Sequence, residues 1–220
     1  ANEQTLDWVL ALEADRMVNS NIAKRDLDSE MTVVRNELES GENNPGSVLL
    51  QRIRSTAFLC HNYGHSTIGA RSDVEGVPIE QLQGFYRTWY QPDNATLILA
   101  GRIDPARVVA KVSASFGKIR KPTRALPQFH TVEPAQDGPR EVDVRRGGDV
   151  RFIAAAYHVP AAGHPDSAAL SVLGSVLGYS PGGRLHKALV QTHLAAGTGA
   201  GSESLRDPGL LSVLAVFPKD

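Results

Sequence analysis

Two glutamates, Glu30 and Glu37, stand seven residues apart in the stretch 26–42, which reads D-L-D-S-E-M-T-V-V-R-N-E-L-E-S-G-E. In a helix, at about 100° per residue, their carboxylates fall only about 20° apart on one edge, two turns from each other. A helix is expected here. Asp26 or Asp28 suits its start, Gly41 suits its end, and Leu27, Met31, Val34 and Leu38 recur at spacings of four, three and four. The carboxylate edge lies beside Val33 and Val34 on the apolar side, while Arg35, Asn36 and Glu39 point elsewhere. Two aligned carboxylates on a core-facing edge are costly unless a metal ion, a buried cation or a proton compensates them. The plain alternative is a solvated helix flank.

Other reactive side chains are sparser. His61 and His65 have a four-residue spacing that would suit a metal on a helix, but Asn62, Tyr63 and Gly64 between them argue for a loop. His158 and His164 fall at a strand end and in a turn, where a solvated or satisfied histidine is expected. The single cysteine, Cys60, excludes an intrachain disulfide and reads as a small buried hydrophobe. The run Gly197, Thr198, Gly199, Ala200, Gly201 has no helix after it and so is not a dinucleotide loop. No Gly-x-Ser-x-Gly elbow supports a serine hydrolase.

Composition narrows the class. Of the 220 residues, 41% are hydrophobic and 21% charged, an ordinary globular balance for one large or two smaller domains. A net charge of -1 excludes a global attraction to nucleic acid or to an anionic membrane surface. No apolar run is long enough to span a bilayer. The basic cluster Lys118, Arg120, Lys121 and Arg124 lacks interleaved aromatics, so it reads as solvated linker.

The elements that must position these residues follow from periodicity and turn chemistry. Residues 5–18 form an amphipathic helix, Pro45 opens another, and residues 79–90 form one with Leu82, Phe85, Trp89 and Tyr90 on an aromatic-rich face. The unbroken apolar run 95–101 reads as a buried strand, and Asp104 followed by Pro105 starts a helix to about Phe116. Pro122, Pro127 and Pro134 mark a linker. Beyond it, strands are expected at 140–145, 150–159, 194–202 and 210–217, with helices at 166–177 and 184–191. This order predicts an α+β fold of two half-domains, each with helices on one face of a mostly antiparallel sheet. A start within a helix and an end just after a strand suggest an internal piece, with both half-domains incomplete.

Several segments carry a family resemblance. E-M-T-V-V-R-N-E, N-Y-G-H-S-T-I-G, W-Y-Q-P-D-N-A-T-L-I-L-A-G and F-G-K-I closely resemble the pitrilysin/insulinase (inverzincin) family of zinc peptidases. After the linker, A-A-Y-H-V-P, H-P-D-S-A-A-L and G-G-R-L-H-K-A-L-V resemble the opening of that family's second, repeated domain. The resemblance runs in order over nearly the whole chain. It implies that residues 1–120 are the later part of the metal-bearing half-domain. Residues 121–139 are then a Pro-rich linker, and 140–220 the first part of the second half-domain.

In that family a His-x-x-Glu-His helix supplies two zinc ligands and the general base, and a later Glu supplies the third ligand. By resemblance Glu37 is that third ligand and Glu30 the carboxylate that supports it. The implied activity is zinc-dependent endopeptidase chemistry on peptides or unfolded proteins, with zinc activating a water molecule. The departures are specific. No histidine precedes His61, so His-x-x-Glu-His is absent, and Gly183 stands where the family often has Ser. The family's substrate-contacting Arg and Tyr have no match before Asp220. The chain by itself is therefore expected to be inactive and to hold zinc weakly or not at all. The same fold also serves non-catalytic core or partner subunits, so a homo-oligomer or a paired family subunit is a second expectation. The short linker and compact repeat resemble small bacterial members, which implies a periplasmic or, next, a cytoplasmic setting.

Overall fold

Helix starts are set by local capping. In the computed structural model, which describes residues 3–218, the Asn44 side chain accepts the Ser47 N–H at 2.9 Å and Pro45 occupies the first turn of α3 (Pro45–Ala57). Asp104 does the same for α6 (Pro105–Ser115), taking the N–H groups of Ala106 and Arg107 at 3.0 and 3.4 Å. Helix α2 (Lys24–Asn43) begins two residues earlier than Asp26, with the N–H groups of Asp26 and Leu27 both donating to the Ala23 carbonyl. The other helices are α1 (Glu3–Asn19), α4 (Arg71–Gly76), α5 (Ile79–Trp89) and α7 (Ser167–Gly178). The three strands are β1 (Val150–Val159), β2 (Gly197–Ser202) and β3 (Gly209–Pro218). The fold is mixed, helices with a small antiparallel sheet.

The chain forms two compact units, with α2 running from one into the other after Asn36. The first combines the residues up to Asn36 with Ala70–His130. Its core is made by Leu10 and Ala14 of α1, Leu27 of α2, Val74 of α4 and Val108 of α6. Polar ties close it. The Tyr86 hydroxyl donates to the Arg16 carbonyl at 2.8 Å and accepts the Ser20 N–H at 3.0 Å, and Trp89 stacks on Phe129 at 5.8 Å. Among the described residues this unit has no strand. The run 95–101, expected as a buried strand, pairs with nothing in a ladder, and Ile98 is 82% exposed. Apolar composition favours an extended backbone, but a strand also needs a hydrogen-bonding neighbour.

The second unit joins Glu37–Gly69 to the residues from Thr131 onward. Its sheet has the order β1-β3-β2, all antiparallel, with Ala155 and Ala200 flanking Val213 on either side. As the central strand, β3 holds the core: Leu210 is 1% exposed, and Leu211 and Ala215 are also buried. Helix α7 lies on β2, and glycines on both sides make that approach possible. A Cβ on Gly174 would sit 3.1 Å from the Cα of Gly201, and one on Gly178 would enter the backbone of Ala200. The glycine-rich run 197–201 is therefore a helix seat, which is the structural role its composition serves.

One further expectation differs from the structure. Residues 140–145 join no ladder; Arg140 is instead committed to carbonyls of α3. The helix expected at 184–191 is present over residues 184–190 and is more widely wound than an α-helix, π-helical over His186–Val190, with the Gln191 N–H donating to the His186 carbonyl.

Candidate functional site

The last turns of α2 carry Glu37 to the edge of a cavity of about 610 Å³ within the second unit. Its walls are the end of α2, one side of α3 and the loop after α3, contributing among others Ser40, Asn44, Arg54, His65 and Thr67. Glu37 is exposed and makes no hydrogen bond or ion pair among the described residues. Glu30, two turns back on the same helix, is equally exposed and equally without such a partner among the described residues.

The expected core-facing placement of this pair is corrected by the structure. Leu27 and Leu38 are buried and Met31 and Val34 half-buried, but Glu30, Glu37 and the intervening Val33, itself 59% exposed, face solvent. Helical geometry explains this. Glu30 and Glu37 lie about 70° and 90° from the centre of the apolar stripe, which is far enough to leave the core. They share an edge, as expected, and that edge is open. Two exposed, unpaired carboxylates beside an exposed valine carry no burial cost of their own.

The loop after α3 is built by hydrogen bonds to its own backbone. The N–H of Phe58 closes α3 on the Arg54 carbonyl, and Phe58 is buried. A 3-10 turn, Asn62–Gly64, follows, in which the Gly64 and His65 N–H groups donate to the His61 and Asn62 carbonyls. Gly64 fits there because a Cβ would lie 3.0 Å from the Phe58 carbonyl oxygen. His61 is half-buried and fully engaged. Its Nδ1 accepts the Tyr63 N–H at 3.2 Å, and its Nε2 lies 3.5 Å from Oδ2 of Asp207. Only His65 of the two histidines reaches the Glu37 cavity, so they do not form a helical ligand pair.

Cys60 corrects another expectation. It is exposed, because the chain leaves α3 at Phe58 and the buried position is taken by that ring. His158 places Nε2 3.1 Å from the Ala57 carbonyl oxygen and sits edge-on to Phe58 at 5.1 Å. His164 accepts the Asp166 N–H at 3.2 Å. Both are satisfied locally.

One acidic residue had no signal in the sequence. Glu133, in the irregular segment before β1, accepts the N–H groups of Leu59, Cys60 and His61 at 2.6, 2.9 and 2.9 Å. Burial pushes its carboxyl pKa up, but the three backbone hydrogen bonds and the nearby Arg140 guanidinium outweigh it, and the net shift is downward. Arg140 donates from Nη1 to the carbonyls of Thr56 and Ala57 at 3.1 and 2.9 Å. Neither role could be read from spacing, since each depends on the fold of a distant turn.

The donor set decides what this chain can hold alone. Among the described residues no group of three or more His, Cys, Asp or Glu could hold a metal ion. Protein zinc sites use three or four ligands. One free carboxylate arm does not make one, so no hydrolytic step is routed through zinc on these residues.

Residues 76–220 match the family model described as Peptidase M16 inactive domain. The chain belongs to the M16 peptidase family. The zinc protease PqqE of Helicobacter pylori is 29% identical over 192 residues, covering 86% of this chain and 43% of that protein. The crystal structure of a protease from Helicobacter pylori superposes with a TM-score of 0.94 at 27% identity, covering 100% of this chain and 54% of that one. Core protein I of the ubiquinol-cytochrome-c reductase complex of Euglena gracilis is 27% identical over 175 residues, covering 75% of this chain and 33% of that protein. The chain thus spans less than half the length of these two curated relatives. One is named as a zinc protease and the other as a core protein.

Proposed function

We propose that this chain is a piece of a zinc-dependent endopeptidase that cleaves peptides or unfolded proteins. In the full-length protein Glu37 is the third protein ligand of the zinc, and Glu30 supports it from the same helix edge. Zinc, when bound, supplies the Lewis acidity that makes water nucleophilic near neutral pH. This chain's own part is to present a carboxylate free of competing partners at the rim of a cavity. The two histidine ligands and the general base come from residues outside these 220, so the chain alone does not hydrolyse peptides. In this reading residues 1–120 and 140–220 belong to successive half-domains joined by 121–139. The periplasm is the first compartment to test and the cytoplasm the second.

The observation that supports the reading is Glu37 itself: exposed, without a hydrogen bond or ion pair among the described residues, and lining the 610 Å³ cavity. The test is peptide hydrolysis by the full-length protein, with and without chelator, beside its Glu37→Gln variant. Chelator-sensitive cleavage that the variant lacks supports the reading, and cleavage that survives Glu37→Gln contradicts it.

A second reading, a non-catalytic partner or core subunit acting in protein interaction, is favoured by the likeness to the Euglena gracilis core protein. It predicts a full-length protein without peptidase activity that co-purifies with a second M16 chain, and little effect of Glu37→Gln on that association.

A further inference from the structure

After α3 ends, the loop that walls the Glu37 cavity is held by side chains. The Asp207 N–H donates to the Tyr63 hydroxyl at 3.2 Å on its far side, and Glu133 and Arg140 hold its near side. Glu133 takes the three consecutive N–H groups of residues 59–61, which form a concave backbone nest suited to an anion. Seven residues later, Arg140 takes the carbonyls of Thr56 and Ala57, two of the groups that a helix end leaves without intrahelical partners. The two side chains therefore satisfy the donors and the acceptors that flank the buried Phe58. Directly beyond the nest, the 3-10 turn Asn62–Gly64 delivers residues 64–68 into the cavity wall.

We propose that Glu133 and Arg140 are positioning residues. The end of the linker and the residue that follows it clamp the end of α3 and thereby set the conformation of the 59–68 loop against Glu37. The proposal rests on reading the Glu37 cavity as the site. The linker is then a working part of that site as well as a connection between half-domains. Charge matters at each grip. A neutral amide at 133 still accepts hydrogen bonds but lacks the full negative charge that three converging N–H dipoles favour. Both hydrogen bonds at 140 leave the one Nη1 atom, so a lysine keeps the charge but its shorter arm does not bring the ammonium to that atom's place.

The test uses the full-length protein with Glu133→Gln, Arg140→Lys and the double variant. Amide exchange of residues 59–61 and 64–68 is expected to quicken together by about ten-fold, with β3 amides unchanged. KM for an extended peptide should rise while zinc content and kcat change little, a split that general destabilisation would not produce. Faster exchange confined to 59–61, or an unchanged KM, overturns the proposal. If the full-length protein cleaves no peptide, the functional reading fails separately, and coupled exchange of the two segments still decides whether the clamp exists. Should Glu133→Gln fail to fold, Glu133→Asp, which keeps the charge and shortens the reach, gives the same exchange readout.

Discussion

Glu133 and Arg140 grip opposite polarities of one short piece of backbone: the carboxylate accepts the N–H groups of residues 59–61, and the guanidinium donates to the carbonyls of Thr56 and Ala57. Each grip is charge-assisted, and charge-assisted hydrogen bonds are roughly twice as strong as neutral ones. Removing one carboxylate would leave three donors at a turn to find water or strain.

Glu133→Ala should therefore destabilise the fold by about 1–3 kcal/mol. The pH dependence has a definite sign. The folded pKa of Glu133 is lowered, so its stabilisation is present above the ordinary glutamate value and is lost as pH falls through the folded value. Urea melts of wild type between neutral pH and about pH 3 should show a decline that Glu133→Gln lacks. Parallel curves for the two proteins would refute the assignment.

The seat of α7 on β2 gives a sharper contrast. A Cβ on Gly178 meets the backbone of Ala200, whereas one on Gly199 meets nothing within 4 Å. Gly178→Ala should cost about 2–3 kcal/mol or more, while Gly199→Ala should fall within about 0.5 kcal/mol of wild type. Thermal or urea unfolding of the two variants side by side separates them.

Ile98 tests the correction at 95–101. A buried strand residue would lose about 2 kcal/mol or more on polar truncation. At 82% exposure, Ile98→Thr should change the stability of this chain by no more than about 0.5 kcal/mol. A large loss in a urea melt would mean that the segment is packed after all.

How far the fold was legible can be judged at these same residues. Helix α2 was readable because Leu27, Met31, Val34 and Leu38 encode its buried face within a single element. The strand character of β1 and β3 was readable for the same reason. The ladder that 95–101 lacks was not, because pairing is a property of two segments and composition speaks for only one. The burial of Glu30 and Glu37 was misjudged from neighbours in sequence, Val33 and Val34, which themselves part company: Val34 is half-buried and Val33 exposed. Family motifs drew attention to Glu37. Nothing in the sequence around it drew attention to Glu133, whose partners are backbone amides more than seventy positions away. Side chains that recognise backbone are invisible to periodicity.

The chain alone makes its own prediction. With one free carboxylate and no cluster of three donors among the described residues, it should show no chelator-sensitive peptide hydrolysis and no tight zinc binding. Peptide assays and metal analysis of the purified 220-residue chain check both.

The most direct measurement of the central claim is zinc content per full-length chain, wild type against Glu37→Gln, after equilibration with limiting metal. The account predicts about one zinc per wild-type chain, as expected for a catalytic site of three protein ligands, and a marked loss in the variant. Equal zinc content in the two proteins, or none in either, would contradict the assignment of Glu37 as a ligand.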